Sequence, residues 1–275
     1  MAAQFHNEHL TEAIEDTSIH YWHAQTITIA ELDATIARGI RPGLGIEVAL
    51  PVRLIRSRIR YENVNRQPYT LVYPDYHHPN ETPVRLADPI LSLHLARPGE
   101  IWSVAGRLGL SMPVGKTEPN PFALGRLGLP HEHFQFGTGT WDPVLSVAAG
   151  RPLGHASISV SGLAHVVLAK NSEGYQAGNR YNTGLSVARP FGRSWAGSAS
   201  VDLTREEAEH WDGKLEEEGN LGRTDALLSL GVSRLAPTLG TIMLTVGMPV
   251  YSKVRGEQGD QPAVFTLSWS PAPAQ

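Results

Sequence analysis

No cysteine occurs among the 275 residues, which excludes disulfides, thiolate metal sites and cysteine nucleophiles. No segment approaches the roughly 18 consecutive apolar residues of a membrane-spanning helix. The first residues, Met1 to His9, contain neither a basic stretch nor an apolar core, so no secretory leader is visible. Basic tracts and long acidic runs are absent as well, and the net charge is -4. Nothing in that balance points to nucleic acid. The G-x-S-x-G turn of serine hydrolases is missing. Val114-Gly115-Lys116-Thr117 ends like a phosphate loop but lacks its upstream glycines. What the chain does have is glycine and proline, 27 and 20 residues, which suits many short elements joined by turns.

The dominant pattern is a period of two. From 44 to 54, Leu44, Ile46, Val48, Leu50, Val52 and Leu54 share one face, with Gly45, Glu47, Ala49, Pro51 and Arg53 on the other. The same alternation recurs over 24–36, 87–95, 102–114, 141–149 and 155–168, and then around Leu185, Val201, Leu230, Val246 and Leu267. Eleven candidate strands result. A soluble β-sandwich alternates in the same way, so alternation alone leaves both open. Connection length separates them. Tight links at 38–43, 98–99, 150–154, 190–193 and 236–237 alternate with long ones at 62–83, 115–140, 169–180, 204–224 and 255–261. Short turns at one end and long loops at the other are the rule of outer-membrane barrels. Trp22, Tyr61, Trp102, Trp141, Tyr181, Trp195 and Trp269 fall near strand ends, where an aromatic girdle belongs.

The expected fold is therefore all-β: an antiparallel transmembrane β-barrel of the outer membrane, spanning 17–271 behind a polar segment 1–16. Eleven strands are visible and about twelve are expected for closure, because an open edge cannot stay unpaired in lipid. Counting back from 264–269 leaves the strand 24–36 starting at the outer face. Residues 2–16 carry His6, Glu8, His9, Glu12, Glu15 and Asp16 and make a poor twelfth strand. The expectation is that a leader and a first strand of about ten residues precede Met1. The open alternatives are that another chain supplies the strand, or that 2–10 fills the gap imperfectly.

Gln135-Phe136-Gly137-Thr138-Gly139-Thr140-Trp141-Asp142-Pro143-Val144-Leu145 resembles a motif of an outer-membrane β-barrel family labelled transporter or phenol meta-degradation pathway (MetA-pathway) type. Leu110 to Gly115 before a long loop, and Val246 to Tyr251 followed by Gly256, are similar to that family too. The resemblance covers roughly 20–270. It implies an outer-membrane location and passage of a small solute, and its name does not establish a phenol substrate. The histidines at 77, 78, 131 and 133 depart from the family pattern.

The face opposite the apolar stripe offers Glu31, Asp33, Glu47, Arg53, Asp88, His94, Arg107, His155, His165 and Asp202. Mixed charges there fit a hydrated lumen that selects a solute, or a small barrel filled by its own paired side chains. The leading expectation is an outer-membrane channel that is not an enzyme. A non-conducting surface binding or structural barrel is the alternative. A hydrolase built on Ser157, Ser159, Ser161, His155, His165 and Asp202 comes third. His77, His78, His131 and His133 are candidate ligands for zinc or copper, since neutral imidazole suits both. No cofactor is required. The expected partners are outer-membrane lipid and a small solute. Residues 204–218 offer a short helix capped by Thr204, or equally a solvated lid or a contact surface.

Overall fold

A computed structural model describes residues 2–12, 20–71, 82–217, 219–256 and 259–272. Fifteen strands follow one another: β1 (Ala2–Glu12), β2 (His20–Arg41), β3 (Leu44–Asn63), β4 (Val84–Leu86), β5 (Ile90–Arg97), β6 (Ser103–Ser111), β7 (Asp142–Leu153), β8 (Ala156–His165), β9 (Tyr175–Gln176), β10 (Arg180–Phe191), β11 (Trp195–Glu206), β12 (His210–Trp211), β13 (Asn220–Ala236), β14 (Gly240–Gly256) and β15 (Val264–Ser270). One short helix, α1 (Pro121–Arg126), interrupts them. Twelve of the strands form the wall in the order β1-β2-β3-β5-β6-β7-β8-β10-β11-β13-β14-β15, all antiparallel, and β15 returns to β1. The return is made at the single pair Ala2↔Phe265, and β1 covers β2 only from His20 to Ala30. β4 lies beside β3, and β9 pairs with β12 in a separate two-stranded sheet.

Alternation decides which face looks where. Leu91, Leu93, Leu95, Leu108, Leu145, Val147, Leu185, Val201, Leu230 and Leu244 are all exposed, and Leu32 and Ile36 are each 69% exposed. They sit on one side of successive strands, opposite Ser92, Arg107, Ser146, Ser186, Ser200, Ser229 and Thr245. A soluble barrel would turn its leucines inward. Here the wall presents an apolar band outward and keeps its small polar residues inside, the arrangement that lipid solvates. This is the fold of an outer-membrane β-barrel.

Turn chemistry fixes the short end. Between β2 and β3, Gly43 has φ +76°, and a Cβ there would lie 2.4 Å from the Ala96 carbonyl oxygen. Only glycine meets both demands. The other links at this end are also tight, while the opposite end carries 64–89, 112–141, 166–179 and 207–219.

Three expectations change. Residues 2–12, judged a poor strand, form β1, which pairs with β2 from Ala2↔Ala30 to Glu12↔His20 and meets β15 at Ala2↔Phe265. Backbone pairing outweighs composition there. Along the remainder of β2, Glu31 to Arg41 pair with β3. Second, the strands continue past their apolar stretches, so β3 reaches Asn63 and β14 reaches Gly256. Third, among the described residues of 204–218 no helix forms: β11 runs through Glu206, and β12 follows. The helix lies instead at Pro121–Arg126, where the Asn120 side chain accepts from the Ala123 amide at 3.0 Å and proline occupies the first turn.

Candidate functional site

The inward face divides into two walls. On β2, β3, β5 and β6 it is charged. Arg53 donates to Glu31 Oε2 from Nε at 2.8 Å and from Nη2 at 2.6 Å, across the directly opposed pair Glu31↔Arg53. A two-point contact of this kind fixes both side chains. Glu47 takes Arg107 Nη2 at 2.8 Å on one oxygen, and His94 Nε2 stands 3.4 Å from the other. His94 opposes Arg107 across β5 and β6, so three strands converge on one carboxylate. Asp33 follows Glu31 on the same face.

From β8 round to β15 the mid-wall inward positions are mostly serine, threonine and glycine beside Asp202, Leu163, Leu227 and Met243, and toward the long loops the same face carries the ion pairs Arg180–Glu206 and Arg223–Asp225. Ser159 and Ser186 hydroxyls meet at 2.6 Å, Ser200 donates to Asp202 at 2.9 Å, and Asn182 donates to Thr204 at 2.9 Å. Gly184 is required beside them. A Cβ there would lie 2.7 Å from Asp202 Oδ1 and 2.8 Å from Ser161 Oγ. Gly231 similarly faces Ser198 Oγ, at 2.5 Å from a built Cβ. These glycines keep the serine wall thin.

The inward face is buried toward the long-loop end and open toward the short-turn end. Ser92, Ser111, Asp142 and Val144 are buried, whereas Ala105, Ala148, Ser157 and Ser161 are exposed. The 112–141 loop causes this. Asp142, fully buried, accepts from Thr138 Oγ1 at 2.6 Å and Thr140 Oγ1 at 2.8 Å, which folds the loop over the inner face. Asp88 ties the same loop from the other side. Its carboxylate accepts from the Val114, Gly115 and Thr138 amides, at 2.6 to 3.1 Å. Asn171 donates to the Thr138 carbonyl at 3.1 Å and links in the next loop. Phe122, Val167, Tyr175, Ala177 and Trp211 pack into a small core above. Burial raises the Tyr175 phenol and the Glu209 carboxyl above their ordinary values, although Trp211 Nε1 and the Asn220 amide both donate to Glu209. The long loops therefore form an ordered cap.

Most of the charged residues singled out from sequence lie on the inner face: Glu31, Asp33, Glu47, Arg53, His94, Arg107, His165 and Asp202. His165 Nε2 is 3.8 Å from Asp142 Oδ2, at the edge of the cap. Two are placed elsewhere. Asp88 sits between β4 and β5 as the loop tether, and His155 is in the exposed turn between β7 and β8. Tyr61 shares the inward parity of Ile55, Ser57 and Ile59 and meets Tyr21 edge-on at 5.7 Å, so it does not belong to an outer girdle. The proposed serine hydrolase set is scattered, with His155 at the opposite end of β8 from His165. His131 and His133 rings stand 5.0 Å apart, and His131 Nδ1 is 2.8 Å from the Leu129 carbonyl. Among the described residues no group of three such ligands is placed to hold a metal ion. His77 and His78 lie outside the described residues. Sequence reading missed the cap core, because β9 and β12 are too short to show a period.

No family model matches the chain, and no curated protein matches it. Among solved structures, an outer membrane channel from Pseudomonas putida is similar with a TM-score of 0.56 at 11% identity, over 97% of this chain and 91% of that one. Two structures of OmpT, an outer membrane protein of Vibrio cholerae, follow at a TM-score of 0.39. Their identities are 8% and 9%, with 96% of this chain and 93% and 96% of theirs covered. The similarity to the channel shows the barrel fold. The expectation that the chain is not an enzyme is corrected: a likeness at 11% identity shows the barrel fold alone and gives no ground for excluding catalysis.

Proposed function

We propose that this chain is an outer-membrane channel that passes a small polar solute through its barrel. One observation carries the reading. The outward face is an apolar band, and the inward face sets a wall of paired charges against a wall of serine, threonine and glycine. A protein that only needed to fill a core would use larger apolar side chains there. Small hydroxyls leave room for water and exchange hydrogen bonds with a solute, and the charged wall biases which solute passes. The short motifs around Trp141 and Met248 support a place among transporter-labelled barrels of the phenol meta-degradation type. Liposome swelling with neutral sugars of increasing size tests the reading. Small sugars should enter and large ones should not, while swelling no faster than protein-free vesicles would oppose it.

The cap favours a second reading, a surface binding or structural barrel closed at its long-loop end. Asp142→Ala removes the bonds that hold 138–140 over the inner face. If the wild-type chain is silent and this variant admits sugars, the barrel is a gated channel. If both are silent and folded, the second reading holds.

A further inference from the structure

The outward face of β3 changes character along its length. Leu50, Val52 and Leu54 continue the apolar band, and the next three outward residues are Arg56, Arg58 and Arg60, all exposed. Ile55, Ser57 and Ile59 between them are buried, so the alternation has not slipped and the arginines point away from the lumen. Their cross-strand neighbours on β2 are Thr28, Thr26 and Ala24, none of them acidic. Among the described residues none of the three has an ion-pair partner. Arg53, Arg107, Arg180 and Arg223, by contrast, each contact a carboxylate. Outward arginines near the short turns are engaged otherwise: Arg151 lies over Trp102 at 5.6 Å and Arg234 over Trp195 at 5.4 Å.

The ladder starts where the apolar stripe ends, which is headgroup height, and it stands at the long-loop end. In outer-membrane barrels that end faces the exterior. Rungs two residues apart are about 6.7 Å from one another, so three guanidiniums reach over about 13 Å. Guanidinium is the side chain best matched to phosphate oxygens, through paired parallel hydrogen bonds. A headgroup with one phosphate would engage one rung, whereas a glycolipid with several phosphates would engage the whole row while its acyl chains lie along Leu50, Val52 and Leu54.

We propose that Arg56, Arg58 and Arg60 form a binding site for the phosphates of a phosphorylated glycolipid in the outer leaflet. The inference rests on the membrane fold and not on conduction. The test uses the whole purified chain in detergent, with bisphosphorylated lipid A as the probe and its dephosphorylated form, phosphatidylglycerol and inorganic phosphate as comparators, read by native mass spectrometry. The bisphosphorylated glycolipid should bind at least about tenfold more tightly than each comparator. The triple variant R56Q/R58Q/R60Q should lose about a hundredfold in affinity, and the triple lysine variant, which keeps the charge but not the paired hydrogen bonds, should fall between it and the wild type. Wild-type sugar permeability in the glutamine variant would separate this site from the channel reading and show that the barrel is intact. If the triple variant does not fold, Arg58→Gln alone should weaken binding about fivefold. Unchanged affinity in a folded glutamine variant would overturn the site. Equal binding of phosphatidylglycerol or inorganic phosphate would overturn its assignment to a glycolipid.

Discussion

The two inner walls of this barrel solve the same problem in different ways. The wall from β2 to β6 keeps large charged side chains and neutralises them in place, Glu31 with Arg53 and Glu47 with Arg107. The wall from β8 to β15 confines its ion pairs, Arg180 with Glu206 and Arg223 with Asp225, to the long-loop end, and in mid-wall its serines bond to one another or to Asp202. A charge pair holds geometry because each partner is costly to leave alone. A serine pair holds little, because water replaces it easily. On the proposed channel function, the charged wall would set selectivity and the serine wall would set width.

That contrast can be broken from either side, and the largest effect is expected on the thin wall. Gly184→Leu would place a side chain into Asp202 and Ser161, with contacts already under 3 Å for a Cβ alone. Overpacking of this kind costs on the order of 2–3 kcal/mol. Urea unfolding in lipid vesicles should show the loss, and sugar uptake should fall with it. A Gly184→Leu barrel of wild-type stability and permeability would mean that the serine wall is not tightly apposed.

Glu47→Ala comes next. It strands Arg107 and leaves His94 without its nearby carboxylate. Because these groups are partly solvated, the loss should be about 1–2 kcal/mol, below the figure for a deeply buried pair. Glu47→Ala/Arg107→Ala should recover part of it, and the coupling from that cycle measures the pair. Additive losses would show that the two residues do not interact.

A smaller effect sharpens the contrast between wall and cap. The Glu209 carboxyl is raised by burial, so the unfolded cap gives up its proton at lower pH than the folded cap does. This contribution is intact below the ordinary carboxyl range and is lost as pH rises through the raised value. Glu209→Gln should flatten that decline, seen as protease resistance of the 207–219 loop between pH 4.5 and 8. An unaltered pH profile would remove Glu209 as its source. The smallest change is expected for Ser159→Ala, about 0.5–1 kcal/mol, since Ser186 can turn to water instead.

Much of this was legible in the sequence. The alternation over 44–54 gave the outward and inward faces of β3, and with them the shared face of Glu47 and Arg53. Their partners required register. Glu31 meets Arg53 only because the β2–β3 turn and the irregularity between Gly39 and Arg41 set the offset, which parity alone does not encode. The segment 2–12 was misjudged because its composition is polar, whereas its place in the ring follows from backbone pairing. Asp88 sits on the inward parity of a periodic stretch, yet the strand begins only at Ile90, which frees the carboxylate to tether the 112–141 loop. The cap was invisible because Phe122, Tyr175 and Trp211 come from three separate loops and share no period.

The central claim is that solute passes between a charged wall and a serine wall. Planar-bilayer recording of the purified chain against Glu47→Gln tests it most directly. The account predicts discrete conductance steps with a weak cation preference in the wild-type barrel, because the inward acids Glu31, Asp33, Glu47, Asp142, Asp202, Glu206 and Asp225 outnumber the inward arginines Arg53, Arg107, Arg180 and Arg223. It predicts that the preference moves toward anions in Glu47→Gln with step size nearly unchanged. Steps whose ion preference ignores Glu47, or no steps from either the wild-type chain or the cap variant Asp142→Ala, would contradict it.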